Sequence, residues 1–298
     1  MSGYASRDYA LSFAEFGRPR FLLASEGWIL ERSIEQSDRC DAMGLYPLFA
    51  CNAWSRLPDD LDALQDSGLV SLVVVTDPFG DYEEPLLHRC FPDLVRSFKQ
   101  HYVVDLAQAI QNQISKHHRY YARKSLEAVQ VEYCPNPMNL LDDWMDMYEV
   151  LISRHQIAGI ATFSRLAFAQ QLAMPNLTVF RVMHEGRTIG AHLWVLDGDV
   201  AYSHLAAFHE DAYRLNASYA LYWYAINYFK GHVRWMDLGG GAGLAGDIND
   251  GLSKFKRGWS NAERSVYLCG RIFDKAAYAA LAQQRSLGPT AGFFPAYR

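Results

Sequence analysis

The sequence predicts an α+β protein in which a mixed, mostly antiparallel sheet is flanked by helices. Three observations predict it. Short apolar runs of strand length alternate with amphipathic helical stretches along the chain. A turn-centred hairpin occupies residues 187–208. Of 298 residues, 50% are hydrophobic and 20% charged, which supplies a core and leaves no tract of disordered composition.

In the first third, GWILERS (27–33), GLYPLFA (44–50) and SLVVVTD (71–77) read as strands separated by turns or helical stretches. From Asp105 to Ala128 the sequence reads as one helix, with Ile110, Ile114 and Tyr121 at helical spacing. Its other side is basic. Lys116, Arg119 and Arg123 recur at i, i+3 and i+7 with Lys124 beside them, a solvated face or a grip on phosphate groups. Strand VQVEY (129–133) precedes a helix over 139–156 with the apolar stripe Leu141, Trp144, Tyr148 and Leu151. Ser164 is placed to cap the helix that follows.

In RTIGAHLWVLDGDVAYSHLAAF (187–208), Asp197-Gly198 is a favoured two-residue turn. That turn pairs His192 with Ser203 and Ala191 with His204, so the two histidines point to opposite faces. His204 then shares a face with Ile189, Ala191 and Leu193, and reads as a satisfied core histidine. The loop HEDAYRLN leads into helix 217–230, with Asn216 or Ser218 as its cap. Strand VRWMDL (233–238), strand ERSVYLCG (263–270) and helix DKAAYAALAQQ (274–284) complete the order.

The glycines of DLGGGAG (237–243) suggest a nucleotide loop, but their position opposes it. A dinucleotide loop follows the first strand of a doubly wound sheet, and only 55 residues remain after Gly243. A phosphate loop of the Walker type needs Gly-Lys-Ser/Thr opening a helix, whereas these glycines lead into Asp247, Asn249 and Asp250. The glycines therefore read as a flexible loop after a strand.

A net charge of −5 argues against a dedicated nucleic-acid binder while leaving room for a local basic patch. The start of the chain lacks a signal-peptide pattern, and its longest apolar stretch, 217–229, is too short to span a bilayer. The five cysteines are scattered without paired spacing, which suits a reduced, cytoplasmic protein. No metal-ligand spacing appears, and no metal is expected.

Three stretches carry a resemblance: SKHHRYYARKSLEA; GAHLWVLDG with AYSHLAAFHEDAYRLNAS; and WMDLGGG with GLSKFKRGWS. Together they resemble the Fem-type aminoacyltransferases and FemAB-like acyltransferases of bacterial cell-envelope, peptidoglycan and exopolysaccharide pathways, members of the GNAT superfamily, over roughly residues 110–270. The resemblance implies tandem GNAT-like domains, 1–108 and 109–298. It implies transfer of an acyl group from acyl-CoA or aminoacyl-tRNA to an amine of a small-molecule, lipid-linked or nucleotide-linked precursor. It also places Lys256 of the Phe255-Lys256 pair in the acyl-transfer site.

The chemistry needs a cation there, because amine attack on an ester or thioester builds negative charge on the carbonyl oxygen. Lys254 and Arg257 flank that lysine. By location, His192, His204 and Asp237 are the candidate general bases. Arg119, Arg123 and Lys124 are candidates for holding phosphate, with Tyr213, Asn216 and Ser218 lining the donor site. No nucleophile elbow appears, so direct attack is the simpler route. The stretch HEDAYRLNAS lacks the glycine-containing pyrophosphate loop of enzymes that use acyl-CoA, and no heptad run marks a coiled coil. A protein that binds a nucleotide-sugar or acylated ligand without turnover is the alternative.

Overall fold

The computed structural model describes residues 3–242, 250–284 and 294–298. Its chain divides into two compact units, Gly3–Phe98 with Ser265–Arg298, and Lys99–Arg264.

The first unit begins with a short helix α1 (Arg7–Leu11) capped by Ser6, whose hydroxyl accepts the Tyr9 N–H. Strands β1 (Arg18–Leu22), β2 (Gly27–Ser33) and β3 (Cys40–Gly44) follow as an antiparallel meander. After helix α2 (Leu57–Ala63), β4 (Leu69–Val75) pairs parallel to β3, and α3 (Glu84–Cys90) follows. Leu72, Val74, Phe49, Trp54, Leu61 and Leu87 share one core. The expected strand 44–50 does not form: β3 ends at Gly44, and beyond it Phe49 makes only an isolated bridge to Thr76. Pro47 explains the break, since it has no N–H to give a ladder.

Strand β5 (Leu94–Asp105) leads into the second unit, where the expected helix 105–128 splits. Asp105 ends the strand, α4 (Ile110–Gln113) is a single turn, and α5 (Lys116–Leu126) starts afresh at Ser115. The Ser115 hydroxyl accepts the His118 N–H, so a cap interrupts the helical period. Next come β6 (Gln130–Tyr133), α6 (Leu141–His155) and α7 (Arg165–Leu172), the last capped by Ser164 as expected. Strands β7 (Leu177–His184), β8 (Arg187–Asp197) and β9 (Val200–Phe208) form an antiparallel run, β6-β7-β8-β9.

The β8–β9 turn is Gly198-Asp199, one residue later than expected, with Asp197 opposite Val200. Gly198 takes φ +53, as the first central position of a primed hairpin turn requires. Trp194 faces Ser203 while Leu193 faces Leu205, so His204 is the extra residue of a bulge and His192 lies opposite Ala206. The expected partners change, yet the two histidines do lie on opposite sides. His192 packs against Tyr222, and His204 against Gln171 and Phe163.

Helices α8 (Glu210–Arg214) and α9 (Ala217–Phe229) lead to β10 (Trp235–Asp237). Asn216 stands at the cap position of α9 in a left-handed conformation, but neither it nor Ser218 closes the helix with a side-chain cap. Helix α9 lays Ala220, Leu221, Ala225, Ile226 and Phe229 on the sheet core with Phe180, Trp194 and Met236. Strand β10 pairs parallel with β9 from Trp235↔Val200 to Asp237↔Tyr202 and antiparallel with β5 on its other side. Helix α10 (Gly251–Arg257), strand β11 (Ala262–Ile272) and helix α11 (Lys275–Gln284) follow. In the first unit β11 pairs antiparallel with β4 through Leu268–Ile272.

Candidate functional site

The parallel β9–β10 ladder stops at Asp237↔Tyr202, while β9 runs on to Phe208. Past Asp237 the chain turns to β5 instead: Leu238 N–H donates to Tyr102 O at 2.9 Å and Tyr102 N–H to Gly239 O at 3.2 Å. The parallel ladder therefore ends two residues before the β9 bulge, and the chain past Asp237 follows β5.

Asp237 is 2% exposed and holds this turn together. Its carboxylate accepts the Gly239 N–H at 2.8 Å and contacts His101 Nδ1 at 2.8 Å. Gly239 needs φ +75, a conformation open chiefly to glycine. A methyl group there would sit 3.1 Å from the Lys256 ammonium. Thus the glycine run is a turn that admits the lysine.

Lys256 stands on α10. Asp250 caps this helix, accepting the Leu252 and Ser253 N–H groups at 2.7 and 3.0 Å. From α10 the Lys256 ammonium donates to Gly240 O at 2.7 Å. Burial of the ammonium pulls its pKa from 10.5 to about 8, Asp237 and Asp250 oppose that shift, and Lys99 adds to it. Lys99, on β5, donates to Gly241 O at 2.9 Å, so two lysines pin adjacent carbonyls of the turn.

Phe255 is half-buried among His118, Tyr219 and Tyr222, with ring centroids 5.5, 5.0 and 5.0 Å away. His118 joins α5 to α10: Ser115 Oγ lies 2.7 Å from Nδ1, and Nε2 lies 2.8 Å from Phe255 O. With the carbonyl accepting, Nε2 carries the proton and Nδ1 accepts the serine hydroxyl. A Cβ on Gly258 would lie 2.0 Å from the His118 ring. Gly258→Ala is therefore expected to destabilise the chain by about 1–3 kcal/mol, because a ring held at both nitrogens cannot step aside. A denaturant midpoint measured at unchanged slope checks this.

His192 is completely buried, with Nε2 2.8 Å from Ser203 Oγ and Nδ1 without a partner. Burial holds its pKa well below 6.5, and nearby Lys256 lowers it further. His204 is buried against Gln171, and desolvation lowers it to about 3. Both rings stay neutral at physiological pH. His192 borders the site through Lys256, whereas His204 lies on the far side of the sheet.

The basic residues separate in the same way. Lys116, Arg119 and Arg123 line one surface pocket of about 470 Å³ with Trp223 of α9. Lys124, also exposed on α5, is not among those lining residues. Lys254 is exposed on α10, and Arg257 donates to Tyr102 Oη at 3.0 Å. Tyr213 lies under the Arg154 guanidinium at 4.1 Å. Among the described residues no group of His, Cys, Asp and Glu is placed to hold a metal ion, and no helix is long and apolar enough to cross a membrane. Asp247 and Asn249 lie outside the described residues.

Residues 111–257 match the family model of the acetyltransferase (GNAT) domain. The matched stretch is just under half of the chain. Its fold is similar to that of FemX, with a TM-score of 0.67 at 12% identity over 92% of this chain and 93% of that one. L-PGS of Bacillus licheniformis gives 0.61 at 15% identity over 94% and 96%, and the C-terminal DUF2156 domain of an Agrobacterium fabrum protein 0.61 at 14% over 95% and 91%. At such identities the likeness is one of fold. No curated protein matches the chain by sequence. The fold is α+β, GNAT-type and FemX-like, and the matched stretch is similar to acetyltransferases.

Sequence reasoning missed Lys99 and His101. Their two-residue spacing places both on one face of β5, the only local signal of a shared site.

Proposed function

We propose that the GNAT domain transfers an acyl or aminoacyl group from an activated ester or thioester to an amine of a cell-envelope or polysaccharide precursor by direct attack. The observation that carries this reading is the desolvated Lys256 ammonium, fixed on the Gly240 carbonyl just past the end of the β9–β10 ladder. A cation held in place before reaction stabilises the developing oxyanion without reorganising. The similar folds of FemX and L-PGS agree with it, the related Agrobacterium protein being named for lysylphosphatidylglycerol synthesis.

The residues before α9 do not fit a pyrophosphate cradle. Glu210 and Asp211 occupy that turn, Asp211 contacts Arg187 and Arg214, and no glycine opens the backbone there. The cationic pocket on α5 and α9 supplies the charge instead, with Trp223 as an aromatic wall. This supports an aminoacyl-tRNA donor over acyl-CoA.

Radiolabelled alanyl-tRNA and acetyl-CoA, each offered with an extract of envelope precursors, test the reading. Label appearing on an amine with the wild-type chain and not with Lys256→Ala supports it. Equal labelling by both chains sinks it. Replacing Arg119 and Arg123 by glutamine should raise the donor KM and flatten its salt dependence by about one unit of log–log slope per lost phosphate contact. An unchanged slope would remove this pocket from donor binding.

A further inference from the structure

We infer that His101 is the general base of this site and that Asp237 orients it. The inference rests on the acyl-transfer reading above. Neither expected histidine can serve: His192 spends Nε2 on Ser203 and is wholly buried, and His204 faces α7. His101 is differently placed. It stands on β5, two residues from the Val103↔Asp237 pair, and its side chain keeps 10% exposure.

Asp237 takes the Nδ1 side of the ring, with carboxylate oxygens at 2.8 and 3.1 Å. A carboxylate only accepts, so the proton sits on Nδ1 and the Nε2 lone pair is left for a ligand; Nε2 makes no hydrogen bond among the described residues. A buried carboxylate that fixes the tautomer and stabilises the imidazolium is the pairing that hydrolases use to make histidine a base.

The dyad is physically continuous with the cation. Asp237 accepts the Gly239 N–H, and Gly240, the next residue, accepts the Lys256 ammonium. One short turn thus holds a proton acceptor from β5 and an oxyanion stabiliser from α10. In the step, the acceptor nitrogen forms its bond to the donor carbonyl carbon and Lys256 stabilises the oxyanion. His101 Nε2 takes the amine proton, and the ester or thioester bond breaks as that proton passes to the leaving oxygen or sulfur. No further reactant is needed.

The first test needs no substrate. Treatment of the full chain with diethyl pyrocarbonate, followed by mass-spectrometric mapping, should label His101 and spare His192 and His204 at the same dose. An unlabelled His101 beside labelled His117 would overturn the assignment. The second test measures transfer to glucosamine from alanyl-adenosine ester and from acetyl-CoA. His101→Gln keeps an N–H for Asp237 but offers no base, so its kcat should fall about 100-fold or more with KM little changed. Added imidazole should restore part of the rate of His101→Ala, which a merely structural role would not allow. Full activity of His101→Gln with Lys256→Ala inactive would remove His101 and leave the acyl-transfer reading standing. Full activity of Lys256→Ala would remove that reading itself.

Discussion

Lys256→Ala should lose about 100- to 1,000-fold in kcat while the chain stays folded. That is the measured scale for one preorganised oxyanion donor, roughly 3–4 kcal/mol. Lys256→Arg keeps a cation that does not titrate, and so separates charge from shape. In the wild type the useful form is the protonated one, and its folded pKa is about 8. Activity should therefore fall as pH rises through about 8, and Lys256→Arg should move that limb upward.

Stability should respond in the opposite sense. The unfolded lysine holds its proton to about 10.5, the folded one only to about 8. Below pH 8 the buried ammonium costs stability in full, and between 8 and 10.5 the cost is relieved. Lys256→Met should thus stabilise the protein at pH 7, by on the order of 2 kcal/mol after allowance for partial exposure. An inactive variant with a raised Tm is the pattern of a residue kept for function against stability. A lowered Tm together with unchanged rate would leave Lys256 a structural residue.

Asp237→Ala should cost about 3 kcal/mol or more in stability, the largest folding penalty expected at this site. The carboxylate is buried, and its removal strands both the His101 ring nitrogen and the Gly239 N–H. A buried donor without a partner loses its solvation and regains nothing. Because Gly239 and Gly240 carry the Lys256 contact, activity should fall with stability, in contrast to Lys256→Ala. Equilibrium unfolding of the two variants side by side distinguishes them: a stable Asp237→Ala chain would show that the turn holds without its carboxylate.

Much of the second unit was legible because its elements obey local rules. The hairpin needed a glycine turn, and Gly198 supplied one, although one position later than Asp197-Gly198 suggested. The cap at Ser164 and the apolar body of α9 were also written locally. The basic stripe of α5 was visible from its spacing, and three of its cations do line one pocket. Where local patterns misled, a tertiary partner was responsible. Residues 105–128 have helical period throughout, yet β10 pairs with β5 as far as Asp105 and Ser115 caps a new helix. His192 and His204 were both candidate bases by location, and the elements packed on either side of the hairpin sealed both in.

Length, composition and periodicity by themselves determined the α+β class, the hairpin of β8 and β9, the helix after Ser164 and the helix that became α9, since each depends on near neighbours in the chain. Tertiary structure alone decided that Ser265–Arg298 belongs with the first unit. It alone brought Lys99 and His101 to the glycine turn, 136 residues separating His101 from Asp237. The physical reason is that pairing β5 with β10 and desolvating the turn create the site's charge relations, and neither pairing nor burial over that separation is encoded in the spacing of adjacent residues.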